Sequence, residues 1–291
     1  LMWPVVLLPA ASQWGSNFRA LHFNVTMLNQ KAISYFAEME HDQRPALVSL
    51  VETHLSGAAL NRARRVLQKI GWRSFTTPAM QKAEQAARIG EAPAAPADVV
   101  PETRGKFHNT GGEAVLVDPG RKASGYHQAK EHFGFRSVLV RMKGWTLHYI
   151  AAYFDSGWPF EAGPNALKWH AIIGLITSMN LPWIIAADCN RTPDEVAHST
   201  FVRFVNGVVI APAVEFTCAS APPPGRVIDM VITCKSCAPH LKVVPFYNHS
   251  FKPHVVALDI QLSLEMELDI VSSQIVPDEI VQYQGPRNQL D

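Results

Sequence analysis

Cysteine is scarce in this chain. Four residues in 291 cannot staple a domain of this length, so a disulfide-built secreted scaffold is excluded and a reducing compartment is expected. Long hydrophobic runs are also missing: no uncharged apolar stretch approaches the roughly 20 residues that a membrane-spanning helix needs. Residues 1–11, LMWPVVLLPAA, are apolar but have no basic start and contain two Pro, so they do not read as a secretory signal. Neither charge dominates. The 26 Lys+Arg against 25 Asp+Glu leave +1, which tolerates a polyanionic partner without demanding one. No internal repeat is visible. What is present is a 47% apolar fraction, which excludes general disorder, in a length that suits one large domain or two small ones.

The charge is unevenly spread. Residues 263–291 hold six acids and one base, for −5, which leaves +6 on residues 1–262. Three segments are expected: residues 1–16 as an upstream linker or added edge strand, a domain over 17–262, and an acidic connector over 263–291. The chain opens on Leu, which suggests a fragment of a longer protein, and the acidic end reads as a connector towards a missing C-terminal part.

Within the body, apolar alternation and punctuation predict strands over residues 16–25, 46–51, 112–117, 136–141, 146–153, 183–187, 227–233 and 255–262. Helices are expected over 29–42, 58–70 and 162–179. The second turns Leu60, Val66, Leu67 and Ile70 inward and Arg62, Arg64, Arg65 and Lys69 outward. Residues 91–101, EAPAAPADVVP, cannot hold regular structure and read as a surface loop running on to His108. Strands outnumber helices and several neighbours are hairpin-linked. An α+β fold, with mixed sheets in a sandwich flanked by helices, therefore fits better than a doubly wound sheet.

Several of the apolar strands carry a metal- or phosphate-capable polar residue at or near an end. Glu52 and His54 follow Val48-Ser-Leu-Val, Asp188 and Asn190 follow Trp183-Ile-Ile-Ala-Ala, and Asp229 sits in Val227-Ile-Asp-Met-Val. His254 precedes Val255-Val, and Asn24 follows Leu21-His-Phe. Burying such a carboxylate unpaired costs several kcal/mol, so it must be hydrated, paired or metal-bound. Strand ends on one rim of a sheet converge, and hard oxygen donors there suit Mg²⁺ or Mn²⁺, which keeps several waters and accepts phosphate oxygens. Taken singly, each residue has an ordinary reading: Glu52 as a cap, Asp188 and Asn190 as a turn before Pro193, and His254 as a structural imidazole.

Taken together, these strings resemble the endonuclease/exonuclease/phosphatase superfamily, and within it the endonuclease domains of non-LTR retrotransposons, over residues 18–262. Glu52-Thr53-His54 is similar to that group's E-T-H motif. Asp188-Cys189-Asn190 is similar to its D-F-N, and Ile228-Asp229 to its I-D-Y-V strand. Gly111-Gly112-Glu-Ala-Val-Leu-Val is similar to its G-G-V-A-I-L-V strand. Tyr153 stands where the group has a phosphate-contacting tyrosine.

The resemblance implies a four-layered α/β/β/α sandwich and Mg²⁺-dependent (or Mn²⁺-dependent) phosphodiester hydrolysis of DNA. Glu52 and Asn24 would be the metal ligands, and Asp188, Asn190, Tyr153, Asp229 and His254 the catalytic groups. It also implies a reverse transcriptase region beyond the C-terminus and an intracellular, nuclear setting. Two positions depart from the pattern. Thr26 stands where a better metal-side ligand is usual, and Pro253 stands where an acid normally orients the histidine. Asp155 and Asp259 are the candidates to hold His254 instead. Two other readings follow: a non-catalytic nucleic-acid-binding descendant of the same fold, and a phosphatase for small substrates.

Weaker signals complete the reading. Cys234-Lys-Ser-Cys237 is at most half a zinc site. Arg121, Lys122, Lys130, Arg136, Arg141 and Lys143 fall in loop and hairpin positions that could straddle phosphates. Trp145 and Trp158 are candidates for base stacking, although Trp usually packs core.

Overall fold

A computed structural model describes residues 17–39, 44–81, 109–121, 123–125, 134–142, 144–219, 225–247 and 256–263. The expected loop over 91–108 lies outside the described residues. So do both terminal segments, Lys122, Lys130, Lys143 and His254.

Eight strands fall where the alternation predicts them: β1 (Asn17–Asn24), β2 (Leu47–Val51), β6 (Glu113–Val117), β8 (Phe135–Arg141), β9 (Thr146–Tyr153), β10 (Trp183–Asp188), β12 (Asp229–Cys234) and β14 (Val256–Ser263). β3 (Arg73–Thr77), β7 (Ala123–Gly125), β11 (Gly207–Ile210) and β13 (Leu241–Tyr247) are not evident from the sequence. Met80–Gln81 and Asn109–Thr110 add a two-stranded ribbon, β4 and β5.

Two six-stranded sheets result, one ordered β13-β14-β1-β2-β6-β3 and the other β11-β12-β10-β9-β8-β7. Within the two six-stranded sheets, the four strands not evident from the sequence are the four edges. An edge strand needs little apolar alternation, and β13 even carries Pro245, which a central strand would not tolerate.

The sheets stack face to face over a core that includes Leu47, Val115, Val117, Val138, Val140, Leu147, Ile184, Val231 and Leu258, all fully buried. The outer face of the first sheet is covered by α1 (Gln30–Glu38) and α2 (Gly57–Lys69), through Ile33, Phe36 and Leu67 against Val48, Leu50 and Leu116. The outer face of the second is covered by α3 (Gly163–Met179), α4 (Pro193–Ala197) and α5 (Thr200–Phe204), through Trp169, Ile172, Val196 and Val202 against Ile150, Ile185 and Ile232. This is the α/β/β/α order. All three expected helices form where their apolar stripes lie, the first ending at Glu38 and so shorter than the expected 29–42. Asn29 caps α1 by accepting the Ala32 N–H at 3.0 Å, and α3 ends at Asn180 in the left-handed conformation. Among the described residues no helix is long and apolar enough to cross a membrane.

Polar contacts bridge the sheets inside the core. Ser49 Oγ of β2 lies 2.8 Å from Tyr149 Oη of β9 and 2.8 Å from His22 Nδ1 of β1. His148, also on β9, pairs its Nε2 with Ser137 Oγ at 2.9 Å. Burial depresses both imidazoles, His22 to about 3 and His148 to about 4. Each therefore stays neutral in the fold but takes up a proton in the unfolded chain below its ordinary value of about 6.5. The unfolded state binds more protons in that window, so stability falls as the pH drops from about 6.5 towards 4. In urea unfolding followed against pH, His22→Asn is expected to lower proton uptake near pH 5 by about one.

Candidate active site

Two parallel ladders determine which side chains meet. β1 and β2 run parallel, with Asn24 opposite Val51, so both strands end on the same rim and Glu52 follows directly. β9 and β10 run parallel, with Tyr153 opposite Asp188, and end together in the same way. β12 runs antiparallel to β10, which sets its first residue, Asp229, opposite Asp188. Asn24, Glu52, Tyr153, Asp188, Asn190 and Asp229 thus come from strand ends scattered over 206 residues of sequence and gather at one rim of the sandwich.

Direct contacts close the gap between the sheets. Asn24 Nδ2 donates to Asp188 Oδ2 at 2.6 Å, and the Tyr153 hydroxyl lies within the influence of the Glu52 carboxylate. The second Asp188 oxygen, Oδ1, accepts the Asn190 N–H at 3.0 Å. The Asn190 carboxamide is itself fixed by donating to Phe154 O at 2.8 Å. Thr217, fully buried, accepts the N–H groups of Ile228 and Asp229 on its Oγ1, each at 3.0 Å. Its own carbonyl accepts from Val256 at the start of β14, the strand that His254 precedes. Asp229 is the first residue of its strand, where it faces Asp188, and does not sit mid-strand as the surrounding apolar run suggests.

The backbone at the rim is strained. Thr26, Glu52, His54 and Asn190 all have left-handed φ values, between 49° and 56°. For Asn this is tolerable, but for Thr and Glu it costs of order 1–3 kcal/mol each. Local bonds hold the geometry in place. Thr53 N–H and His54 N–H donate to Gly112 O and Gly111 O, and Thr26 N–H donates to Asn24 Oδ1 at 2.9 Å. Gly112 has to be glycine, because a Cβ there would sit 2.5 Å from Thr53 Oγ1 at a φ of 87°.

The electrostatics are those of crowded carboxylates. Burial pushes Asp188 well above the usual carboxylate range, and the neighbouring charges of Asp229 and Glu52 push it further. Tyr153 is raised by burial and by Glu52 and Asp188. Such a cluster calls for a compensating cation. Its donors are hard oxygens, the kind that Mg²⁺ and Mn²⁺ prefer. Among the described residues no group of three or more His, Cys, Asp or Glu is placed to hold a metal ion. An ion bound at this rim would have few protein ligands and would keep most of its waters. Asn24 already has its carboxamide engaged, its nitrogen by Asp188 and its oxygen by both the N–H and the hydroxyl of Thr26.

Behind the rim lies a buried charge cluster not evident from the sequence. Glu113, the first residue of β6, is fully buried and close to Lys168 of α3 and Arg136 of β8. A methyl group at Gly134 would lie 2.8 Å from Lys168 Nζ and 3.6 Å from Glu113 Oε1. Lys168 Nζ donates to the Tyr153 carbonyl, so this cation pins the end of β9. Burial drives Glu113 up and Lys168 down, towards the neutral form of each. The sequence does contain a signal. Glu113 stands in an otherwise apolar strand, and Lys168 falls on the inward stripe of α3 with Asn165, Ile172 and Leu175. Arg136, expected on a phosphate-facing hairpin, is instead 6% exposed and lies inside this cluster. Buried there, it is not available to straddle phosphates. Asp259 is ion-paired with Arg19 at 3.0 Å, and Asp155 Oδ1 accepts the Gly157 N–H at 2.8 Å. Trp145 packs against the core and Trp158 is half-buried against Gly163.

No protein-family model and no curated protein sequence matches the chain. Solved structures do. An AP endonuclease from Leishmania major superposes with a TM-score of 0.62 at 12% identity, covering 90% of this chain and 92% of that one. The endonuclease domain of TRAS1, a telomere-specific non-LTR retrotransposon, gives 0.57 at 11% identity, over 85% of this chain and 99% of the other. The 3′ phosphatase NExo from Neisseria, bound to a product DNA hairpin, gives 0.54 at 13% identity, over 84% and 99%. The chain has the endonuclease/exonuclease/phosphatase fold.

If Lys168 compensates Glu113, removing one partner is worse than removing both. Lys168→Met strands a buried carboxylate and is expected to lower unfolding free energy by about 3–5 kcal/mol. The double variant Lys168→Met/Glu113→Val should recover much of that loss in urea denaturation.

Proposed function

We propose that this chain is a divalent-metal-dependent phosphodiesterase that nicks DNA, the endonuclease domain of a retroelement polyprotein. One observation carries the reading: Asp188 is buried between Asn24, Asn190 and Asp229, with Glu52 and Tyr153 completing the same rim. The likeness in fold to nucleases, including a retrotransposon endonuclease domain, supports it.

Each chain residue has a defined task. Asp188, raised by burial and by its acidic neighbours, holds the proton taken from the attacking water. Asn190, its amide nitrogen fixed on Phe154 O, offers its oxygen to position that water. Tyr153 donates to a non-bridging phosphate oxygen as charge builds, and His254 does the same from the segment before β14. Asp229 keeps Asp188 basic through its adjacent charge. Glu52, with Asn24 beside it, would hold Mg²⁺ or Mn²⁺, which when bound polarises a phosphate oxygen and stabilises the leaving 3′-oxygen. The exposed Arg62, Arg64, Arg65 and Lys69 of α2, with Arg121 and Arg141, are candidate phosphate contacts. The nicked 3′-hydroxyl would prime a reverse transcriptase region elsewhere in such a polyprotein, in the nucleus.

A second reading, a non-catalytic nucleic-acid-binding domain, is favoured by Pro253 ahead of His254 and by Thr26. Both the N–H and the hydroxyl of Thr26 are spent on Asn24 Oδ1.

Supercoiled plasmid incubated with the protein and Mg²⁺ is expected to yield nicked circles, with EDTA abolishing the reaction. Asp188→Ala should lower the rate by about 100-fold or more. Nicking unchanged in that variant rejects the site. Salt-sensitive DNA binding without cleavage, together with a gain of nicking in Pro253→Asp, selects the second reading. Phosphate release from an inositol phosphate would point to a phosphatase.

A further inference from the structure

The Cys234-Lys-Ser-Cys237 segment lies at the opposite end of β12 from Asp229, well removed from the candidate active site and unused by it. Cys237 N–H donates to Cys234 O at 3.1 Å, a tight turn that brings the two Cα atoms within about 7 Å. That is the separation a disulfide spans. The two thiols are close enough to perturb each other's ionisation. They differ sharply in setting. Cys237 is fully buried, whereas Cys234 is partly exposed. Cys234 Sγ also accepts the Trp183 N–H at 3.4 Å and lies 3.2 Å from Ser236 Oγ. Donors converging on one sulfur favour its anion. The Cys237 contact, opposed by burial and helped by Ser236 and Trp183, brings Cys234 down to about 5. Cys237 is pushed up by the Cys234 contact and by burial. A partly exposed low-pKa thiol next to a buried partner is the arrangement of a reactive pair, and fully buried structural cysteines lack it. A zinc role is disfavoured, since among the described residues no third His, Cys, Asp or Glu joins these two.

We propose that Cys234 and Cys237 form a reversible thiol–disulfide site, with Cys234 as the attacking sulfur and Cys237 as the resolving one. The oxidant is a hydroperoxide. The Cys234 thiolate attacks one peroxide oxygen, an S–O bond forms, the O–O bond breaks, and hydroxide leaves to give the sulfenic acid. Cys237 then attacks the Cys234 sulfur. The S–S bond forms, the S–O bond breaks, and the Cys237 proton leaves with the departing hydroxide as water. The net change is two thiols and one hydrogen peroxide giving one disulfide and two waters. A dithiol reductant reverses it. The site does not rest on the nuclease reading.

The test uses the full chain, reduced and then exposed to hydrogen peroxide. Remaining thiols are alkylated under denaturing conditions, and the peptides are mapped by mass spectrometry. The expected result is a Cys234–Cys237 disulfide with Cys189 and Cys218 alkylated, reversed by dithiothreitol. On the untreated native chain near pH 6.5, iodoacetamide should label Cys234 at least about tenfold faster than Cys218, because only the thiolate reacts. In Cys237→Ala, peroxide should leave Cys234 as a sulfenic acid trapped by dimedone. Should that variant not fold, the mapping on the native chain decides alone. Four alkylated cysteines after peroxide, a bridge to Cys189 or Cys218, or Cys234 driven to sulfinic acid without a bridge would each overturn the proposal.

Discussion

Asp188 and Asp229 face each other across an antiparallel ladder at the buried rim of the sandwich, and Glu52 approaches from the other sheet. Like charges so placed repel, and the low dielectric makes the repulsion larger than it would be in water. The surroundings of the rim answer that problem. Asn24 reaches across from β1 to one oxygen of Asp188, the Asn190 amide takes the other, and the Tyr153 hydroxyl lies near Glu52. These contacts moderate the repulsion without removing it, which is why burial and its acidic neighbours together raise Asp188.

The strained backbone belongs to the same problem. Glu52, His54, Thr26 and Asn190 leave their strands in left-handed conformations because a strand that simply continued would carry these groups away from the rim. The fold absorbs that cost through bonds from residues 53 and 54 to the two glycines before β6. The same loop leads into Glu113, whose buried charge is balanced by Lys168 and Arg136. Lys168 in turn holds the Tyr153 carbonyl. A second layer of charge therefore supports the first, so rim geometry and core stability cannot be altered independently.

The central strands were readable because each must satisfy burial on both faces or alternate strictly. Val48 to Val51 and Trp183 to Ala187 can hardly be anything else. The edges β3, β7, β11 and β13 were not readable, since their hydrogen bonds come from one neighbour only and their side chains are less constrained. Polar residues at strand ends were visible as a set, because an acid directly after an apolar run requires a partner. Glu113 and Lys168 were visible only as oddities. Inside the protein each lies close enough to influence the other's ionisation, and neither position carries a sign of that proximity. Arg136 was misplaced for the same reason: a charge in a hairpin strand reads as exposed until its buried partner is known.

By itself, the sequence determined the α+β class, the eight central strands, the principal helices and the identities of the polar groups at the strand ends. Those properties follow from local periodicity and from the cost of burying a charge alone. Only the tertiary structure decided that two parallel ladders, β1 with β2 and β9 with β10, bring those groups to one rim of two facing sheets. Strand direction and sheet order are long-range choices set by how whole faces pack, and no window of sequence contains them.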